Sequence, residues 1–190
     1  MSNKPAVVFL DRDGVIIEDR EDYVRSWDDV TFISSSFSAI RQLTEAGLPV
    51  VLVTNQSAVG RGIITSEFVE ETHARLAAEM EAQGANFAGV YFCPHHPDAG
   101  CNCRKPLPGL LKQASVDLGL DLAQAVMVGD SLRDIAAVEA VGGRGILVRT
   151  GKGEKECARL ALSHEPAVSP IAVVNDIGDA VDFILNMGRE

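Results

Sequence analysis

The 190-residue chain reads as an α/β fold, a doubly wound, Rossmann-like parallel sheet whose strands are joined by crossover helices. Three observations predict it. Short apolar runs recur along the whole chain, apolar residues at helical spacing fill intervals between them, and polar or charged residues follow the runs. With 46% hydrophobic and 23% charged residues, the composition suits one compact core without a disulfide framework, and a single domain over 1–190 is expected.

The candidate strands are 6–10, 49–53, 89–92, 125–128, 145–148 and 171–174. A helix is expected over 65–82, with Thr65 and Ser66 as N-caps, Glu67 in its first turn and Gly84 beyond its end. Leu107, Leu110, Leu111, Ala114 and Leu118 form one apolar helical face that stops at Gly119. Ile177, Val181, Ile184 and Leu185 repeat the pattern near the C-terminus. The formal charge of −10 repels polyanions, so neither nucleic acid nor an anionic membrane is an expected partner. The opening MSNKPAVVFL has no basic region, long apolar stretch or small-residue cleavage site, and a cytoplasmic protein without a membrane segment is expected.

Sheets of this kind bind ligands beyond the carboxyl ends of their strands. The first candidate strand is followed by Asp11-Arg12-Asp13-Gly14, the second by Thr54-Asn55-Gln56-Ser57, the fourth by Gly129-Asp130-Ser131-Leu132-Arg133-Asp134. The third leads through a cysteine cluster to Arg104-Lys105-Pro106. Carboxylates as close as Asp11, Asp13 and Asp130 repel one another unless a cation lies between them, and all-oxygen ligation suits Mg²⁺. Lys105 supplies a point charge and Thr54 a hydroxyl for a phosphoryl group. One free carboxylate can attack phosphorus while another, two residues on, moves the proton; spacing alone does not assign the two roles. Taken singly, the Asp pair could cap a helix, Thr54 could sit in a turn and Lys105 could be a solvated charge. Their shared position after strands favours phosphoryl transfer.

Cys93-x-His95 and Cys101-x-Cys103 are matched pairs in one short loop, a compact three-sulfur, one-nitrogen set suited to tetrahedral Zn²⁺. His95 is preferred to His96 because it repeats the spacing of the other pair. Free thiols or a disulfide are the alternatives. With all four positions filled by protein the metal would be structural, and the loop would fix Arg104 and Lys105.

The series Asp11-x-Asp13-Gly14-Val15, Thr54-Asn55-Gln56, Lys105-Pro106 and Gly129-Asp130-x-x-x-Asp134 resembles the four motifs of haloacid-dehalogenase-like phosphatases, from residue 6 to 152. Cys93-Pro94-His95-His96-Pro97, Cys101-x-Cys103-Arg104-Lys105-Pro106 and Val148-Arg149-Thr150-Gly151 resemble, more narrowly, the heptose 1,7-bisphosphate 7-phosphatases. Histidinol-phosphate phosphatases share the zinc loop but are less similar around 57–62 and 148–151. The resemblance implies a HAD-like fold without a large cap domain, Asp11 as nucleophile and Asp13 as general acid/base. It implies Mg²⁺ on Asp11, the Asp13 carbonyl and Asp130, with Asp134 orienting rather than ligating. Thr54 and Lys105 would stabilise the phosphoryl group, while Arg104 would meet a second phosphate or the sugar. Arg12, Asp19, Tyr23, Asn55, Gln56, Ser57 and Ser131 would complete substrate binding. The implied partner is a sugar bisphosphate, acted on by a monomer.

Outside these motifs, Trp27 and Cys157 read as packing residues and His73 and His164 as surface ones. Gly60-Arg61-Gly62 and Gly142-Gly143-Arg144-Gly145 read as turns, with Arg61 within conceivable reach of a phosphate. Two other classes are weighed. An aspartyl-phosphate receiver switch gives no reason for Asp13 or the zinc loop, and a zinc-dependent nucleic-acid module conflicts with the net charge.

Overall fold

The computed structural model describes residues 4–163 and 167–187, so the expectation for His164 lies outside the described residues. Six parallel strands form the sheet: β1 (Val7–Leu10), β2 (Val50–Asn55), β3 (Gly89–Cys93), β4 (Ala125–Gly129), β5 (Arg144–Val148) and β6 (Ala172–Val174). Seven helices are described: α1 (Ser36–Glu45), α2 (Ser57–Gly60), α3 (Ser66–Glu81), α4 (Gly109–Leu118), α5 (Leu132–Glu139), α6 (Gly153–Leu162) and α7 (Ile177–Asn186).

Alternation along the buried strands sorts the core into two layers. Val8 and Leu10 of β1 join Val50, Leu52, Val126 and Val128 beneath α1, α3 and α7. Val7 and Phe9 face the other way, packing with Val51, Val53 and Met127 against Leu110, Leu111 and Ala114 of α4 and Ala137 and Val138 of α5. Trp27 and Cys157 pack against the core as expected.

The strand order is β3-β2-β1-β4-β5-β6. The chain therefore reverses direction across the sheet between β1 and β4, which opens a crevice at their carboxyl ends. Asp11 follows β1 and Asp130 follows β4, so the fold itself brings them together.

Two local expectations are corrected. Leu107 lies before α4, not on it: its N–H donates to the Arg104 carbonyl at 2.9 Å and its side chain is 48% exposed. Pro108 disfavours helical backbone at the preceding residue, so the helix starts later. It does end at Gly119, which takes the left-handed φ of 67°. In the second case Gly142 turns the chain at φ 82°, but Arg144 and Gly145 already belong to β5. A Cβ on Gly145 would press on Ile135 at 2.7 Å, so glycine there lets α5 lie close to the strand.

Candidate active site

The chain segments that follow β1, β2, β3, β4 and β5 each deliver a different part of one cleft, a cavity of about 370 Å³. Asp11 is anchored by its own N–H, which donates to the Val128 carbonyl at 3.0 Å, while its Oδ1 accepts from the Arg12 N–H at 2.7 Å. Gly14 and Gly151 press on the Asp130 carboxylate from two sides, and a Cβ at either would collide with it. Both have positive φ, 79° and 58°, so glycine is required twice over. The Thr150 hydroxyl donates to the Gly14 carbonyl at 2.6 Å, and the Lys152 N–H donates to Asp130 Oδ2 at 2.8 Å.

Lys105 is 1% exposed, which excludes a solvated surface role. Its three ammonium donors are all engaged: Val53 carbonyl at 2.8 Å, Asp134 Oδ1 at 2.7 Å and Asp11 Oδ1 at 3.1 Å. Burial alone would lower its pKa, but Asp11 and Asp134 outweigh that and raise it, so it stays charged. Asp134 thus orients Lys105.

Asp11, Asp130 and Asp134 place carboxylate oxygens within 4.8 Å of one another. Burial, with Asp11 and Asp134 adding repulsion, pushes Asp130 up to about 8. Burial, with repulsion from Asp134 and Asp13 and partly opposed by Lys105, pushes Asp11 up to about 6. Such a cluster calls for a hard cation, and the donor set fits Mg²⁺.

Asp13 has the opposite setting. Arg12 Nε donates to Asp13 Oδ1 at 3.2 Å, and Arg12 Nη2 donates to Oδ1 and Oδ2 at 2.9 and 3.0 Å. Gln56 Nε2 donates to Asp13 Oδ2 at 3.0 Å and to Thr54 Oγ1 at 2.9 Å. Burial works to raise the Asp13 pKa, but the Arg12 charge and these hydrogen bonds outweigh it and hold the carboxyl below its ordinary value. Two carboxylates two residues apart therefore have environments that pull them in opposite directions.

Several expected substrate contacts line the cleft and also have protein partners. Arg12 lines the cleft but is 3% exposed, its guanidinium hydrogen-bonded to Asp13, Gln56 and His73. Gln56 is spent on Asp13 and Thr54. The Asn55 side chain exchanges two hydrogen bonds of 3.1 Å with the Lys105 backbone, fixing where that residue starts. Ser131 Oγ caps α5 by accepting from the Arg133 N–H at 3.3 Å. Asp19, Tyr23, Ser57 and Arg104 line the same cleft. Among the described residues, Nη1 of Arg104 is a buried donor with no protein partner, lying in the lining of the cleft.

His73 contradicts its expected surface position: it is 4% exposed. Lys152 escaped the sequence reading, though the residues after β5 carried the same kind of signal as those after β1, β2 and β4. It links two cleft loops through an ion pair with Asp19 at 2.7 Å.

The cysteine loop begins inside the core. Cys93 is the buried last residue of β3, and the loop then folds over the sheet end. Sγ of Cys93 and Cys101 lie 3.6 Å apart, those of Cys101 and Cys103 3.5 Å, and His95 Nδ1 is 3.5 and 3.2 Å from Cys93 and Cys103. A tetrahedron with Zn–S bonds of about 2.3 Å has S···S edges of about 3.8 Å, so the spacing fits Zn²⁺. These are free thiols, not a disulfide. Burial and the neighbouring thiols push Cys103 up to about 12, and a cation would reverse that. His95, not His96, lies among the three thiols, and His96 contacts Asp98 instead.

A HAD-hydrolase-like family model matches residues 102–180. A D-glycero-beta-D-manno-heptose-1,7-bisphosphate 7-phosphatase of Vibrio cholerae is 46% identical, the alignment covering 98% of this chain and 99% of that protein. The corresponding protein of Pseudomonas aeruginosa is 44% identical over 78% of this chain and 83% of its own length. Among solved structures, the D,D-heptose 1,7-bisphosphate phosphatase of B. bronchiseptica, complexed with magnesium and phosphate, superposes with a TM-score of 0.86 at 36% identity. It covers 95% of this chain and 98% of its own. Among the described residues no helix is long and apolar enough to cross a membrane.

Proposed function

This chain belongs to the heptose-1,7-bisphosphate 7-phosphatase family of HAD-like hydrolases, and from that premise we propose that it removes the C7 phosphate of D-glycero-D-manno-heptose 1,7-bisphosphate, leaving heptose 1-phosphate. The observation that carries the reading is the contrast between Asp11 and Asp13 at the end of one strand.

Asp11, facing the acidic cluster, attacks phosphorus. The bond from phosphorus to the C7 oxygen breaks as that oxygen takes a proton from Asp13, and an aspartyl phosphate remains. Asp13 then accepts a proton from water as the water attacks this acyl phosphate, which frees inorganic phosphate and restores both carboxyls. Arg12 keeps Asp13 ionised in the resting site, so the proton it donates is one taken up from solvent or from the phosphate monoanion as substrate binds, and it is released again after turnover. The arriving phosphate, being negative, raises its proton affinity for the first step. Thr54 accepts from Gln56, which leaves its own hydroxyl proton for a phosphoryl oxygen, and Lys105 adds positive charge beside Asp11. The Asp11 and Asp130 carboxylates with the Asp13 carbonyl would hold Mg²⁺, which when bound offsets charge on the phosphoryl oxygens. The Cys93, His95, Cys101 and Cys103 set would hold a structural Zn²⁺ that fixes the loop bearing Arg104 and Lys105.

Arg104 receives the second phosphate. Arg61 and Arg133 line the adjoining cleft with it, adding positive charge in that direction. We place this activity in a cytoplasmic monomer of one domain. The histidinol-phosphate alternative is not favoured by the relatives.

The test is a kcat/KM comparison on heptose 1,7-bisphosphate, histidinol phosphate and fructose 1,6-bisphosphate. The heptose bisphosphate should lead by at least about tenfold, since an unpaired cation selects for its missing anion. Dominant histidinol-phosphate turnover would overturn the substrate while leaving the chemistry standing.

A further inference from the structure

Asp13 is gripped by Arg12, and Arg12 is itself gripped from behind. His73 Nε2 lies 3.2 Å from Arg12 Nη1, on the side of the guanidinium away from Asp13. A guanidinium offers only donors, so a hydrogen bond here requires a lone pair on Nε2, and the ring must be neutral with its proton on Nδ1. The surroundings agree. His73 is buried, its ring meets Phe92 edge to face at 5.6 Å between centroids, and burial with the Arg12 charge pushes its pKa down to about 3.

Resting on the phosphatase reading above, we propose that His73 is a positioning residue for the proton-transfer step: it fixes the Arg12 fork, and through it the Asp13 carboxylate, in the direction of the leaving oxygen. The chain of contacts runs from α3 to the reacting group without a gap. Gln56 Oε1 accepts from Arg12 Nη2 at 3.0 Å, so the fork has one further anchor besides Asp13. Gln56 anchors Nη2 and His73 anchors Nη1, and two anchors define the plane of a guanidinium where one leaves it free to swing. Without His73, a buried N–H would lose its acceptor, and the fork would turn to find another. Val69, Thr72, His73, Leu76 and Met80 form the buried stripe of α3, so this position would ordinarily be filled by an apolar side chain.

The experiment separates proton transfer from general damage. His73→Phe keeps an aromatic ring against Phe92 but removes the acceptor. His73→Gln restores an oxygen near the position of Nε2. Both are compared with the native protein, by kcat/KM, on heptose 1,7-bisphosphate and on p-nitrophenyl phosphate. The sugar leaves as an alkoxide that needs a proton; nitrophenolate leaves without one. kcat/KM reports steps up to formation of the aspartyl phosphate, so water attack does not blur the contrast. His73→Phe should lower kcat/KM on the sugar phosphate about tenfold and on the aryl phosphate less than about twofold, with His73→Gln recovering most of the loss. Equal losses on both esters, or no loss on the sugar phosphate, would overturn the proposal. If His73→Phe does not fold, His73→Gln is set beside His73→Asn, whose shorter amide cannot reach Arg12, with the same outcomes deciding. Should the native protein prefer another alkyl phosphate, the substrate reading falls, while the alkyl-to-aryl ratio measured on that ester still decides the role of His73.

Discussion

The acidic cluster and the cysteine loop both gather groups that repel when ionised, but they are assembled in different ways. Asp11, Asp130 and Asp134 are set by the sheet: two follow adjacent strands, one lies in the first turn of α5, and Lys105 neutralises part of their charge from inside. Of the four thiol-loop ligands only Cys93 is buried in the core, and His95 is exposed. Without a cation the four ligands meet one another only through weak sulfur contacts. The fold therefore builds the first site, and the metal completes the second. If so, the two should fail differently.

The largest effect is expected on removing the internal cation. Lys105→Met is close in length and removes the charge, leaving Asp11 and Asp134 buried without their partner. Breaking a buried pair in this way costs about 3–5 kcal/mol. Denaturant unfolding with Mg²⁺ absent should show that loss, and turnover should vanish with it. A variant of native stability would mean that the acidic cluster does not depend on Lys105.

Next comes the thiol loop. Cys101→Ser should release one equivalent of zinc on gel filtration and lower kcat/KM by about 10- to 100-fold, the usual cost when the groups that aim a catalytic residue are loosened. Unfolding of the sheet should move little by comparison, because only Cys93 of the four ligands belongs to a core layer and Cys101 packs at its edge. A metal-free protein of full activity would break the contrast.

The same contrast governs what the sequence made legible. The inner strands β1, β2, β4 and β5 were readable because apolar runs buried on both faces stand out; β2 outran its expected end only because Thr54 and Asn55 keep pairing with Phe92 and Cys93. The cysteine loop was readable because its ligands are close in sequence. Asp11 and Asp130 were readable from their place after strands. What spacing could not say is which way a polar side chain turns. Arg12, Asn55, Gln56 and Ser131 line the cleft, and each also hydrogen-bonds within the protein, to Asp13, the Lys105 backbone, Thr54 and the α5 terminus respectively. His73 was hidden for a related reason: a lone histidine on an amphipathic helix shows its burial only once α3 is laid against the sheet.

The smallest expected effect is also the most direct comparison, because the two sites should respond to pH with opposite signs. In the metal-free protein the folded-state pKa of Asp130 is raised to about 8 and that of Asp11 to about 6, both above the ordinary carboxyl value of 3.8. Between the ordinary value and the raised one, the folded state binds more protons than the unfolded state, so stability falls as pH rises. From pH 6 to 8, metal-free protein should therefore lose stability on the order of 1 kcal/mol, and saturating Mg²⁺ should remove the loss by replacing those protons. The thiol loop runs the other way. Its ligands must lose protons to bind metal, Cys103 from a value pushed up to about 12, so zinc affinity should rise over the same interval. Unfolding curves at the two pH values with and without Mg²⁺, alongside a zinc competition titration, measure both slopes. Slopes of the same sign would mean that the fold holds the carboxylates together too weakly for their site to be called prebuilt.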